Sequence, residues 1–541
     1  MNASVVLLVA GLSLQGTPVP TTDARSEAYF LFLQGRELED SGNADAAAAA
    51  YRKAADLWPS AADIRAELAA LLGREGKPAD AIREATAALA IDPNNVEAHR
   101  TIGYVQSEVA DATADATRAQ ALRKDAIEHL ELASRDRPGD VNSQLALGRL
   151  YVRAGQYDKG IDTLRAFLID QPGYGEGLVL LAQAYVGAHK PAEAMSTLED
   201  LVAEQPDQLR AWAWLAELRE DNHQWKAAAT AWGELATRNP RNMSYRIRRA
   251  TALVNGGDLA GGRQALLEVT QAAPNDVSAW YLLSQVDRRA GDPAAAEADA
   301  RHITQIDPKD PRGPLAIAEA KAARGDYRAV VDTLDPLVAA ARPDDVASGS
   351  YARMAAQLSA ALERTGDRNR AVKVLEDARR RDTDDMDLLF DLAAAYERDS
   401  KFDQAEQAFR DVLATEPANA EALNYLGYML ADRGTKLDEA VDLIKRALLI
   451  DEDNPSFLDS LGWAYVKQAK LDQARAPLQR AAAALPKTSV IQDHLAELYF
   501  QLKMYREAAD TWDLALAGDR AEIDAAAITK KRDRARQLAG K

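Results

Sequence analysis

The side chains of this chain that could carry chemistry are its six histidines and two short acidic runs. No two histidines stand three or four residues apart, and the zinc-binding H-E-x-x-H motif does not occur. The acidic runs, at residues 382–385 and 451–453, misplace the glycine and the final glutamate that an EF-hand calcium loop needs. The sequence therefore predicts histidines that pack or face solvent, and no metal site. The histidines are His99, His129, His189, His223, His302 and His494.

Phosphate-binding and nucleophile motifs are also missing. Neither G-x-x-x-x-G-K-[ST] nor G-x-G-x-x-G occurs, so no loop is expected to cradle a phosphate. No G-x-S-x-G elbow occurs, and the absence of cysteine excludes thiol catalysis, thiolate zinc sites and disulfides. We therefore predict that the chain is not an enzyme and needs no cofactor.

The net charge and the amino-acid composition indicate which class of partner and which class of fold to expect. The 541 residues include 66 Lys and Arg against 84 Asp and Glu, a formal charge of −18 at pH 7. A surplus of this size repels phosphates, so we expect no nucleic-acid partner. The abundance of alanine, with only 6% aromatic residues, favours closely packed helices.

The elements that must position these side chains come from a repeat. Prolines recur at intervals of 34 residues, and between them apolar residues at helical spacing, a turn and a second helical run follow in the same order. Because proline cannot continue a helix, it ends each unit. Each unit is therefore predicted to be two amphipathic helices, A and B, joined by a tight turn. The longest series is Pro138, Pro172, Pro206, Pro240, Pro274 and Pro308.

The unit resembles the tetratricopeptide repeat family. Helix A carries Leu followed by Gly or Ala and then an aromatic residue, and helix B carries regularly placed alanines. The resemblance implies an all-α, right-handed superhelical solenoid of helix-turn-helix repeats, in which helix A lines a concave groove. Examples of the helix A motif are Leu147-Gly148 with Tyr151, Leu181-Ala182 with Tyr185, and Leu495-Ala496 with Tyr499.

The pattern predicts about fourteen units between Ala28 and Gly518. An N-terminal array of about nine units is expected at 28–343, with an insertion near 110–123 that either lengthens both helices of its unit or forms a protruding loop. A polar joint at 344–351 and a C-terminal array of about five units at 352–518 follow, and a capping helix is expected at 519–541.

The N-terminal residues 1–24 contain an apolar run, Val5–Leu14, of the length of a signal-peptide core and too short to span a bilayer. The four residues before it carry no Lys or Arg, which departs from the usual signal pattern. Two interpretations stay open. A cleaved export signal would place the protein in the periplasm or cell envelope, and a disordered tail would leave it in the cytoplasm. No other run is expected to span a membrane.

The expected partner-binding surface is the groove, because the second, fifth, ninth and twelfth residues of helix A face it in this family. The start of the groove is predicted to be more basic, and its end more acidic and aromatic. Tyr428 and Trp463, at equivalent places in adjacent units, are either binding anchors or packing residues. The acidic end would suit a basic or extended peptide. The predicted groove residues are Arg36, Arg100, Tyr104, Arg149, Asn424, Tyr428, Asp459, Trp463, Asp493 and Glu497, with Phe32 and Asn142 beside them.

Residues 422–478 resemble bacterial cell-envelope tetratricopeptide proteins, including lipoproteins that act as protease adaptors or in envelope assembly, although the cysteine for lipid attachment is missing. The leading hypothesis is a non-catalytic scaffold or adaptor that binds partner proteins or extended peptides in the groove. The alternative is a regulatory or substrate-presenting subunit of an enzyme complex, such as an envelope protease or glycosyltransferase system. Self-association stays open.

Overall fold

The computed structural model describes residues 21–136, 140–341, 349–519 and 523–540. Within these ranges the chain is helical, and the helices follow one another as fourteen pairs and one final helix. The all-α fold class predicted from the sequence is confirmed. Most of the segment 1–24, most of the predicted joint at 344–351 and part of the segment 519–541 lie outside the described residues.

The first helix of each pair corresponds to helix A of the repeat. These helices are α1 (Thr22–Asp40), α3 (Ala62–Arg74), α5 (Val96–Ala112), α7 (Val141–Arg153), α9 (Gly175–Gly187), α11 (Leu209–Asp221), α13 (Met243–Asn255), α15 (Val277–Arg289), α17 (Arg312–Ala323), α19 (Ser350–Arg364), α21 (Met386–Arg398), α23 (Ala420–Asp432), α25 (Pro455–Lys467) and α27 (Ser489–Gln501).

The second helix of each pair corresponds to helix B. These helices are α2 (Ala44–Leu57), α4 (Pro78–Ile91), α6 (Ala116–Asp136), α8 (Tyr157–Asp170), α10 (Pro191–Glu204), α12 (Trp225–Arg238), α14 (Leu259–Ala272), α16 (Pro293–Ile306), α18 (Tyr327–Ala340), α20 (Arg368–Arg381), α22 (Phe402–Thr415), α24 (Leu437–Ile450), α26 (Leu471–Ala484) and α28 (Tyr505–Ala517). The final helix is α29 (Ala525–Ala539).

In every described pair except α5 and α6, the turn contains a residue in the left-handed backbone region. Glycine supplies it in many pairs, as at Gly155 with φ 72°. His189 and His223 take the same turn position in two other pairs, each with φ 57°. Two of the six histidines are thus turn residues.

The chain forms two compact units, Met1–Ala265 and Leu266–Lys541, and the division falls within α14. In the first unit the insertion lengthens both helices of its pair. Helices α5 and α6 have 17 and 21 residues, against 13 and 14 in α7 and α8. In the second unit α29 closes the stack, because it buries Ile528 and Ala535 against Trp512. The predicted capping helix is confirmed.

Over the described ranges, no helix combines the length and the apolar character that a bilayer span requires.

Close packing inside a pair depends on a small residue in the first helix. A Cβ at Gly427 would lie 2.6 Å from Ile444 Cγ1 and 3.0 Å from the carbonyl oxygen of Ala440. We expect Gly427→Val to lower the free energy of unfolding by about 1–3 kcal/mol, because α23 and α24 would have to separate. Urea denaturation followed by circular dichroism measures the change.

Gly233→Ala is the matched control for that substitution. A Cβ at Gly233 would meet only the Arg249 side chain, at 3.5 Å and beyond, which is ordinary contact. Because alanine is the better helix former, this variant should be as stable as wild type or more stable. Equal destabilisation by both substitutions would contradict the packing argument.

Candidate functional site

The first helices α3, α5 and α7 of three successive pairs line an open cavity of about 520 Å³. The cavity lies on the surface that the sequence predicts to be the groove, within the N-terminal compact unit. It brings together Arg100, Tyr104, Asn142 and Arg149, all of which were predicted to face the groove. These four side chains come from α5 and α7, so neighbouring repeats form one site.

Small residues create the space in the cavity. Ala70 and Gly73 on α3 and Ala146 on α7 form part of its lining. A Cβ at Gly73 would already lie 3.1 Å from Val105 Cγ2 on α5, so a larger residue would crowd that wall. Ser107 and Glu108 line the cavity from the part of α5 that leads into its lengthened end. The insertion therefore lies beside the cavity.

The three arginines that line the cavity are held by carboxylates of their own helix, of a neighbouring first helix or of the turn before one. The pairs that join two repeats help to fix their spacing, and all of the pairs leave the guanidinium groups largely neutralised. The cavity is consequently less basic than its arginines alone suggest. Arg74 pairs with Glu39, Arg100 pairs with Glu97 and lies 3.6 Å from Asp140, and Arg149 pairs with Glu176.

Tyr104 supplies the aromatic wall. Its Oη lies 3.5 Å from Ser143 Oγ, and Ser143 Oγ donates a hydrogen bond of 2.6 Å to Asp140 Oδ2. Burial raises the pKa of the Tyr104 phenol, so the hydroxyl stays protonated near neutral pH. The ring can pack on a ligand while the hydroxyl donates to it.

A histidine pair lies between α5 and α6, and the sequence did not reveal it. His99 Nδ1 is 2.8 Å from His129 Nδ1, and His99 Nε2 is 2.9 Å from the carbonyl oxygen of Pro93. Because a carbonyl only accepts, His99 carries its proton on Nε2, and His129 donates to His99 Nδ1. Burial and the neighbouring His99 lower the pKa of His129. The inserted residues change the 34-residue spacing of the repeats at this point. The repeat pattern therefore did not predict that His99 and His129 would be neighbours.

Arg36 and Phe32, also predicted at the start of the groove, do not line the cavity. Arg36 is exposed on α1, and the Phe32 ring packs against the Tyr51 ring at 5.6 Å between centroids. Phe32 is therefore a packing residue of the first pair.

The two aromatic residues predicted near the end of the groove, Tyr428 and Trp463, lie around His494. The Trp463 ring stacks on the buried His494 ring at 4.2 Å, and Trp463 Nε1 donates a 3.1 Å hydrogen bond to Asp432 Oδ1. Lys467 Nζ lies 4.8 Å from the centre of the same indole. The ring thus packs on neighbouring side chains of its own chain, which was one of the two interpretations open from the sequence.

Asp459, Tyr428 and Asn424 lie in or beside the same network. Asp459 is buried, and its Oδ2 is 2.9 Å from His494 Nδ1. The Tyr428 ring lies 6.1 Å from the His494 ring. Asn424 is half-buried on α23. Although burial opposes a charge on His494, the carboxylates of Asp459, Asp493 and Asp432 raise its pKa. His494, which was predicted from the sequence either to pack or to face solvent, is the centre of this cluster.

The acidic residues at the end of the array are neutralised by the capping helix. Lys531 Nζ on α29 lies 3.4 Å from Asp493 Oδ1 and 3.2 Å from Glu497 Oε2. Asp493 Oδ1 also accepts a 2.6 Å hydrogen bond from Trp512 Nε1. The acidic character predicted for this end is therefore reduced by residues that only the folded chain brings close.

Comparisons with known proteins bear on the family. A family model described as tetratricopeptide repeat matches residues 32–96, 179–244, 247–311 and 390–456. A TPR repeat-containing protein of Pseudomonas aeruginosa is 36% identical over 137 residues, which cover 25% of this chain and 23% of that protein. The chain thus aligns with about a quarter of the length of this relative.

Solved structures of low sequence identity also align with the chain. The crystal structure of yeast Tom70 aligns with a TM-score of 0.39 and 17% identity, over 81% of this chain and 96% of that chain. The structure of Naa15/Naa10 bound to HypK-THB aligns with a TM-score of 0.41 and 13% identity, over 95% and 96% of the two chains. The fourteen helix pairs, the small residues where paired helices cross and the four matches to the family model together place the chain in the tetratricopeptide repeat family.

Proposed function

We propose that this chain is a non-catalytic protein-interaction scaffold that binds an extended segment of a partner protein in the cavity between α3, α5 and α7. The observation that carries the proposal is the cavity itself, formed by the first helices of three successive repeats. Its volume of about 520 Å³ falls within the range of about 300–1,000 Å³ that is usual for binding clefts.

The polar groups of the cavity suit a peptide. The Asn142 carboxamide is exposed and has no hydrogen bond within the described part of the chain, so it can both donate to and accept from a peptide group. Tyr104 supplies an aromatic face and a hydroxyl donor. Glu108 is exposed at the rim without an ion pair among the described residues, which favours a basic side chain on the partner.

The late surface around Trp463 supports binding less strongly. Its ring already packs on His494, and its indole N–H is already bonded to Asp432. A ligand would have to displace these contacts to use the ring as an anchor. The early cavity needs no such rearrangement, which is why we place the partner there.

We also propose that the protein is bacterial and exported to the periplasm or cell envelope. The apolar run Val5–Leu14 and the likeness of residues 422–478 to cell-envelope proteins support this proposal. Fusing residues 1–24 to alkaline phosphatase, which is active only after export, tests it. An inactive fusion that is nevertheless expressed would contradict export.

Selection of peptides from a phage-displayed random library tests the binding site. We expect a selected peptide to bind the full chain, and the Tyr104→Ala/Asn142→Ala variant to bind it at least about tenfold more weakly in fluorescence anisotropy, because a packed aromatic and a bidentate amide are lost. Asn424→Ala/Tyr428→Ala is the matched control, since it removes the same residue types from a later repeat.

Two results would contradict the proposed site. In the first, the control loses affinity and the Tyr104/Asn142 variant does not, which would move the site to the late surface. In the second, no peptide is retained by the wild-type chain, which would count against peptide binding. Unchanged circular dichroism of both variants ensures that the comparison concerns folded protein.

A further inference from the structure

The seventh helix pair departs from the others at one position. From the second pair to the fourteenth, the residue before the small Gly, Ala or Ser of the first helix is Leu or Ile, except in the seventh pair, where it is Arg249. In the sixth and eighth pairs the equivalent Leu215 and Leu283 are both 0% exposed. Arg249 is exposed. A core position has therefore become a charged surface position.

The Arg249 side chain passes beside Gly233 on α12. A Cβ at Gly233 would lie 3.5 Å from Arg249 Cδ and 3.6 Å from its Nε, so the arginine stem crosses α12 at the glycine. The stem is thus supported by α12 while the residue as a whole stays accessible to solvent.

Arg249 lies in an unusually basic stretch of the sequence. Residues 235–257 contain five arginines and no Asp or Glu, in a chain whose formal charge is −18. Two of the five are engaged within the fold: Arg238 pairs with Glu234, and Arg248 lies 3.1 Å from Glu217 and 2.5 Å from Glu220.

The other three arginines, Arg241, Arg246 and Arg249, have no side-chain hydrogen bond or ion pair within the residues that the structure describes. Arg246 and Arg249 lie one turn apart on α13, and Arg241 lies in the turn between α12 and α13. Arg241 lies just before α13, whose first turn carries no acidic residue, so the positive end of the helix dipole adds to the charge at that end.

We propose that Arg241, Arg246 and Arg249 form a second binding surface, at the edge between α12 and α13, for an acidic segment of a partner protein. Guanidinium groups bind carboxylates in bidentate fashion, and three of them along one edge match several carboxylates on one extended segment. At physiological ionic strength charges farther than about 8 Å are screened, so the local arginines determine binding.

This surface is separate from the cavity of the proposed function. It involves α12 and α13, whereas α3, α5 and α7 form the cavity. Either surface could therefore fail its test without affecting the other.

Fluorescence anisotropy with a labelled octapeptide of alternating Asp and Glu tests the proposal on the full chain. The peptide with Asn and Gln in their places serves as the neutral probe. We expect the acidic peptide to bind, and Arg241→Gln/Arg246→Gln/Arg249→Gln to weaken its binding by about tenfold or more. Because the three arginines lie outside the core, the variant should melt like wild type.

A variant with the same charge change elsewhere is the control. Arg52, Arg118 and Arg165 are exposed in the same compact unit, and their side chains form no ion pair among the described residues. Replacing these three by Gln should leave the affinity within about twofold of wild type. Equal loss in both triple variants would overturn the proposal, because binding would then follow total charge.

Two further outcomes would also overturn it. One is the absence of binding of the acidic peptide to the wild-type chain at physiological salt. The other is binding that depends on Arg241, Arg246 and Arg249 with vesicles containing phosphatidylserine but not with the acidic peptide, which would make the surface a membrane-binding site.

Discussion

Replacing Trp512 by alanine is expected to lower the free energy of unfolding of the C-terminal repeats by about 3–5 kcal/mol. Trp512 is only 1% exposed, packs with Ile528 and Ala535 of the capping helix α29, and donates a 2.6 Å hydrogen bond to Asp493 Oδ1. The substitution removes a large buried ring and leaves the Asp493 carboxylate with one donor fewer. Both effects destabilise the packing of α29 on α28.

The loss should be local, because each repeat contacts only its neighbours. Hydrogen exchange followed by mass spectrometry should show faster exchange in α27, α28 and α29 and unchanged exchange in the first compact unit. Urea denaturation followed by circular dichroism gives the free energy. Leu514→Ala on the same helix is the control, since Leu514 is 55% exposed and its truncation should cost well under 1 kcal/mol. A Trp512→Ala effect no larger than that of the control would show that α29 does not depend on this ring.

Replacing Asp459 by alanine is expected to cost about 3–5 kcal/mol at acidic pH, because it leaves the buried His494 without its charge partner. Asp459 Oδ2 lies 2.9 Å from His494 Nδ1, and both residues are buried. The size of the effect should depend on pH, because the protonation of His494 is coupled to folding.

The direction of that dependence follows from the pKa of His494. In the wild-type chain this pKa is raised above its usual 6.5. The folded chain therefore binds the proton more tightly than the unfolded chain, so this contribution to stability is complete below about pH 6.5 and is lost as the pH rises through the raised value. Without Asp459, fewer carboxylates offset the cost of burying a charged His494. The free energy of unfolding of the variant should therefore fall as the pH is lowered.

Denaturation of wild type and Asp459→Ala at about pH 5.5 and about pH 8.5 measures this difference. The difference between the two proteins should be larger at the lower pH. Asp472→Ala on α26 is the control, since Asp472 is exposed and has no partner among the described residues. If the Asp459→Ala effect were the same at both pH values, His494 would not be the group that Asp459 stabilises. Titration of the His494 ring by NMR would identify the group directly.

The sequence by itself determined the local architecture. The 34-residue spacing of proline, the small residues such as Gly148 and Gly427, and the charged C-terminal segment predicted helix pairs and a capping helix, and the structure has them. These features are local because a repeat buries its apolar face only against adjacent repeats. The same pattern predicted that α5 and α7 would bring Arg100, Tyr104 and Arg149 to one surface.

Only the tertiary structure decided which of these side chains are engaged. Arg149 pairs with Glu176, Trp463 bonds to Asp432, and Asp459 bonds to His494, each about one repeat away in sequence. Such contacts depend on the rotation and spacing of whole helices and on the rotamers of long side chains, which a repeat pattern does not specify. For the same reason, the sequence predicted an acidic groove end where Lys531 neutralises the acids, and did not reveal the His99–His129 pair.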